Sequence, residues 1–163
     1  MSSSEITDSP STSKCDLYDQ LAAQLTSLLA GERDLVANSA IFSSLVFHSL
    51  PDLNWAGFYF VKDDELVLGP FQGRPACVGI AIGEGVCGTA AAKRVTIIVP
   101  DVHEFPGHIA CDSASNSEIV IPLMKGERLI GVLDLDSPVS ARFDEEDVTG
   151  LETLVRILLS SVS

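Results

Sequence analysis

A chain of 163 residues with 46% apolar side chains has room for one domain around a buried core. Its 10 basic residues against 23 acidic ones leave a net charge of −13. That excludes a nucleic-acid backbone or an anionic membrane as the main partner and favours a small molecule or another protein.

Residues 1–14, MSSSEITDSPSTSK, lack the apolar core of a secretory signal and read as a disordered Ser/Thr-rich tail. Residues 15–163 read as a single domain. No apolar run reaches the roughly 18 residues of a membrane span. The expected compartment is the cytoplasm, where thiols stay reduced. The cysteines at 15, 77, 87 and 111 are therefore read as buried, metal-bound or redox-active before they are read as structural bridges.

Leu17, Leu21, Leu25, Leu28 and Leu29 form a helical stripe over Asp16–Ala30, with Asp16 as cap and Gly31 as stop. A second helix is expected over Arg33–Ser49, ended by Pro51 and carrying a packed His48. NWAGFYFVK and ELVLGPFQ then read as a hairpin around Lys62-Asp63-Asp64. Cys77–Ile80 reads as a short strand, Val86–Ala92 as a short helix after a Gly-rich turn, and Val95–Val99 as a strand. Pro100–Asn116 is a long loop, of the kind that is functional or disordered. SEIVIPLMK and ERLIGVLDLDS form a last hairpin around Lys125-Gly126, and Asp144 caps a C-terminal helix. Tight antiparallel connections between helices predict an α+β fold.

None of the cysteines forms a CxxC pair, so thioredoxin-type and zinc-ribbon readings lose their main signal. Taken singly, each cysteine is most simply a small buried hydrophobe. Context separates them. Cys111 lies in the polar loop and is the best candidate nucleophile. Cys87 opens a helix, where the N-terminus can lower a thiol pKa, although close packing explains it equally well. Cys77 begins a strand near a sheet edge. Asp134 and Asp136 share one face of a strand. Trp55 and Tyr59 share a face of another, as a core pair or as a pocket wall.

Whether Glu118 meets the aspartates depends on hairpin register. A two-residue loop at Lys125-Gly126 pairs Met124 with Glu127 and puts Glu118 opposite Leu133. A three-residue loop closing at Arg128 puts it opposite Asp134. One residue of slip exchanges the faces. If the three carboxyl groups crowd together, at least one is protonated near neutral pH and can donate a proton. Asp101, His103, His108 and Cys111 offer a mixed metal site, but their spacing matches no compact ligand motif.

NWAGFY, LGPFQGRPAC, GEGVCGTA, DVHEFPGHIACDSASNSEIVIPL and GVLDLDS together resemble, in order, the free methionine-(R)-sulfoxide reductases, single-domain enzymes of the GAF fold. The resemblance runs from about Asp16 to Leu159, and its most specific part is Asp101–Leu123. Gly79 and Ala81 depart from the Arg and Pro commoner in that family. The resemblance implies a six-stranded antiparallel sheet flanked by helices. It implies a catalytic Cys111, a Cys77 that resolves it by disulfide, and an accessory or alternative resolving Cys87. Glu118, Asp134 and Asp136 would be pocket acids, with Glu118 as proton donor, and Trp55 and Tyr59 would surround the substrate methyl. It further implies no bound cofactor or metal, re-reduction by a thioredoxin-like partner fed ultimately by NADPH, and a homodimer. The alternative reading is a non-catalytic GAF-type sensor of a small ligand.

Overall fold

The computed structural model describes residues 12–109 and 111–163; the expected tail lies outside them up to residue 11. Helix α1 spans Lys14–Leu28 and α2 spans Leu35–Ser49. The cap of α1 is Ser13, whose side chain accepts from the Asp16 amide, so Asp16 sits inside the first turn rather than capping it. Asp34 caps α2 in the same way through the Ala37 amide. His48 is exposed at the end of α2, with its ring edge against Phe47, rather than packed inside.

Strands β1 (Trp55–Lys62) and β2 (Glu65–Gly73) follow. Their turn is Asp63-Asp64, both left-handed, the geometry that matches the twist of a tight hairpin. Strand β3 covers Gly79–Ala81, two residues later than the expected Cys77 start, because Cys77 belongs to the connection and serves the site described below. Helix α3 runs Gly85–Lys93, β4 is Ile97–Val99, and a short 3₁₀ turn at Val102–Glu104 interrupts the long loop. Strands β5 (Ser117–Lys125) and β6 (Arg128–Ser137) and helix α4 (Glu145–Ser161) complete the chain.

The six strands form one antiparallel sheet in the order β3-β2-β1-β6-β5-β4. Neither register considered for the last hairpin is the observed one. The turn is Gly126-Glu127, with Gly126 in the left-handed region, so Lys125 pairs with Arg128. A bulge then places Ile130 as an extra residue on β6. Turn and bulge together bring Glu118 opposite Asp136. Gly131 follows the bulge because a Cβ there would collide with the Tyr59 carbonyl of β1.

Alternation gives the sheet two different faces. Phe58, Ile119, Ile121, Leu133 and Leu135 point to one side and pack on α1, α2 and α4 through Leu21, Leu25, Phe42 and Leu151. Trp55, Tyr59, Val120 and Val132 point to the other side, under Val86, Cys87 and Ala90 of α3. An ionic knot ties α1 to α4 on the first side. Buried Asp147 accepts from Tyr18 Oη at 2.7 Å and from Lys14 Nζ at 2.8 Å, with Arg142 Nη1 at 3.4 Å.

Candidate active site

The second face holds a cleft of about 530 Å³, including its open mouth. Trp55 and Tyr59 stack with ring centroids 5.9 Å apart, and Phe71 stacks on Trp55 at 5.3 Å. Gly57 lies between them in sequence, opposite Asp134. A Cβ there would fall 2.8 Å from the Trp55 ring and closer still to Phe71, so the aromatic wall requires glycine. The polar ends of the aromatics hold the Cys77 segment. Trp55 Nε1 donates to the Arg74 carbonyl and Tyr59 Oη donates to the Cys77 carbonyl, both at 3.1 Å.

The opposite lip is the long loop. Asn54 Nδ2 donates to Asp112 Oδ2 at 3.1 Å and to Ser115 Oγ at 3.0 Å. The Asn116 amide donates to the Ser137 carbonyl at 2.8 Å. Cys111, so held, is joined to Cys77 by a disulfide with Cα atoms 5.8 Å apart. Cys87 is free and buried, with Sγ 4.0 Å from Glu118 Oε1.

Glu118, Asp134 and Asp136 form the floor. Glu118 and Asp134 are 5% and 6% exposed, which is rare for carboxyl groups without a cationic partner. Burial, reinforced by Asp136, lifts Glu118 from 4.5 to about 8. Burial and the Glu118 charge push Asp134 well above its ordinary range. Burial, Asp134 and Asp112 do the same to Asp136. Burial and the neighbouring acids also raise the Cys87 thiol strongly, overriding any lowering by the start of α3. Asp134 Oδ1 is buried and finds no hydrogen-bond partner among the described residues. His108 Nε2 stands 3.5 Å from Glu118 Oε2, and its burial holds its pKa below the ordinary value. The cluster is thus a proton-holding acid floor with an unused acceptor.

Residues 38–159 match the GAF domain family. A free methionine-R-sulfoxide reductase of Escherichia coli is 54% identical over 142 residues, 87% of this chain and 86% of that one. The chain belongs to the free methionine-(R)-sulfoxide reductase family. Solved reductases of the same name share its shape. The Neisseria meningitidis enzyme, solved with its substrate, superposes with a TM-score of 0.88 at 47% identity, covering 92% of this chain and 90% of that one. The reduced Staphylococcus aureus enzyme gives 0.87 at 49% identity, covering 90% and 95%.

In this member of the reductase family, seven of the eight residues singled out from sequence, Trp55, Tyr59, Cys87, Cys111, Glu118, Asp134 and Asp136, line one cleft, and the eighth, Cys77, is tied to its lip by the disulfide to Cys111. The mixed metal set does not assemble. His103 turns to Asn116 Oδ1 at 3.2 Å, and Cys111 is taken by the disulfide. Among the described residues, the group with metal-ligand geometry is instead Cys87, Glu118 and Asp134. Sequence reasoning missed Asn54, Asp112 and Ser115 as the loop's fastening, and it weighed His108 only in an unfavoured metal set and did not place it beside Glu118. The polar run around Cys111 was the available signal for the fastening, because a loop rich in Asp, Ser and Asn carries many groups that need partners.

Proposed function

We propose that the protein reduces free L-methionine-(R)-sulfoxide to L-methionine with its own thiols and no bound cofactor. The observation that carries this reading is the Cys77–Cys111 disulfide at the lip of an acid-floored cleft. The Cys111 thiolate attacks the sulfoxide sulfur while protonated Glu118 gives its proton to the sulfoxide oxygen. Sulfur is reduced by two electrons and Cys111 becomes a sulfenic acid. The Cys77 thiol condenses with it, forming the disulfide and releasing water. A thioredoxin-like dithiol, supplied ultimately from NADPH, reopens it by exchange. Cys87, a buried protonated thiol against Glu118, is an accessory to this pair. Residues 15–163 act as the single catalytic unit, the cytoplasm suits a cycle that must be re-reduced, and a homodimer is the proposed assembly.

The acid floor explains the preference for the free amino acid. Its α-ammonium donates charge-assisted hydrogen bonds to Asp134 and Asp136, and Asp134 Oδ1 has an acceptor position to spare. On another wall of the cleft, α3 begins at Gly85-Val86-Cys87 with no side-chain cap. Its uncapped amides suit the α-carboxylate. A methionine sulfoxide inside a peptide has neither end group. Trp55 and Tyr59 supply the apolar wall for the thioether methyl.

A thiol count on reduced protein tests the reading. Free L-methionine-(R)-sulfoxide should consume two thiols and release methionine, whereas the S epimer and a peptide-bound sulfoxide should not. Peptide mapping should find Cys77 joined to Cys111. Full turnover by Cys111→Ser overturns the mechanism. A ligand that binds with no thiol loss would favour the GAF sensor reading instead.

A further inference from the structure

We propose that Cys87, Glu118 and Asp134 form a binding site for one thiophilic divalent cation of the zinc or cadmium class, in competition with the amino-acid substrate. The three side chains come from α3, β5 and β6, and each offers one ligand atom within 4.8 Å of the other two. Cys87 Sγ already lies 4.0 Å from Glu118 Oε1. Tetrahedral zinc with bonds of about 2.3 Å to sulfur and about 2.0 Å to oxygen needs ligand atoms about 3.5 Å apart. Small side-chain rotations close that difference.

Independent features point to a cation here. Asp134 Oδ1 is a buried carboxyl oxygen without a partner among the described residues, on the same side chain that offers a ligand atom to this group. His108 Nε2, 3.5 Å from Glu118 Oε2, can supply a fourth ligand. The cleft is lined by five carboxyl groups against a single arginine, the exposed Arg74. A thiolate beside hard carboxylates selects zinc or cadmium over magnesium or calcium. Binding displaces to solvent the Cys87 thiol proton and whatever protons Glu118 and Asp134 hold, and the metal then neutralises the thiolate and the crowded carboxylates; no electron moves.

The disulfide uses Cys77 and Cys111 and leaves Cys87 free, so the site persists when the redox pair is oxidised. The ion would occupy the ammonium position at Asp134 and also tie up Glu118, acting as a reversible brake. The competition rests on the reductase reading; the binding does not.

The test uses Cys15→Ser protein with the Cys77–Cys111 disulfide closed, where Cys87 is the remaining thiol. Titration with Cd²⁺ should raise a thiolate-to-cadmium charge-transfer band in the ultraviolet that saturates at one ion per chain, and Zn²⁺ should remove it. Saturating L-methionine should weaken the apparent affinity. Glu118→Gln and Asp134→Asn should each weaken it by at least about tenfold. No band, a band that survives Cys87→Ala, or undiminished binding by both carboxyl variants overturns the site. Affinity indifferent to L-methionine overturns the competition. The two carboxyl variants keep side-chain shape and decide the matter even if Cys87→Ala does not fold. The oxidised protein does not turn over, so failure here leaves the thiol-loss assay untouched.

Discussion

Glu118→Gln should make the protein more stable than its parent, increasingly so as pH rises. Glu118 is lifted from 4.5 to about 8 by burial and by Asp136. The folded state therefore holds this proton more tightly than the unfolded chain does. Stability from the protonated carboxyl is fully present below about pH 4.5 and is lost as the pH climbs toward about 8, beyond which both states are ionised. At about 1.4 kcal/mol per tenfold change, the gap reaches about 3 kcal/mol at neutral pH and about 5 kcal/mol when complete. Gln keeps the shape and cannot ionise, so it avoids the loss. Asp134, raised partly by the Glu118 charge, adds in the same direction. Urea unfolding of both proteins at about pH 5 and about pH 8 measures it, with m of about 1–3 kcal/mol/M placing the shift in midpoint at roughly 1–3 M. A stability difference that stays flat across this range would refute the claim that burial holds the Glu118 proton.

The same proton should shape the rate: turnover falls as the pH passes about 8 and Glu118 ionises, and Glu118→Gln loses that limb along with about 100-fold in rate, read from pH–rate profiles. Asp134→Asn keeps the side-chain shape but removes the carboxyl group that ionises against the substrate ammonium. A loss of about 1.5–3 kcal/mol should raise KM for the free sulfoxide roughly 10- to 100-fold with a smaller effect on kcat. Asp147→Ala strands Tyr18, Lys14 and Arg142, and it should cost about 3 kcal/mol in denaturant unfolding with no direct effect on substrate binding. Gly57→Ala drives a methyl into Trp55 and Phe71 and should cost about 1–3 kcal/mol, seen as a lower Tm and as a higher KM because the aromatic wall shifts.

The α+β fold and its element order were legible because the apolar periods are clear, from the leucine stripe of α1 to the alternation in β1 and β6. The site residues were legible mainly through the resemblance. Periodicity could pair Asp134 with Asp136, and Trp55 with Tyr59, but could not bring those pairs together. Register was the hidden quantity. No local pattern announces that Ile130 is an extra residue, because a bulge is settled by how β6 meets β1 at Gly131 and Tyr59 as well as by its own hairpin. The cap of α1 was missed for a similar reason. Ser13 and Asp16 are both good caps, and Ser13 wins by starting the helix early enough for Lys14 to reach Asp147.

The bulge also explains how the acid floor can exist. Without it, the Gly126-Glu127 turn alone would set Glu118 opposite Leu135 and put it on the core side among aliphatic residues, where no ligand or proton route could reach it. One extra residue returns Glu118 to the cleft side, opposite Asp136 and beside Asp134. The carboxyl groups then add like-charge repulsion to one another's burial penalty, and α3 closes over them with a thiol and small residues instead of a base. A lysine or arginine in that position would lower the carboxyl pKa values and occupy the acceptors permanently. Leaving the cationic partner out holds the Glu118 proton and leaves Asp134 Oδ1 without a partner among the described residues, so the cleft suits a ligand that brings its own ammonium and asks for a proton.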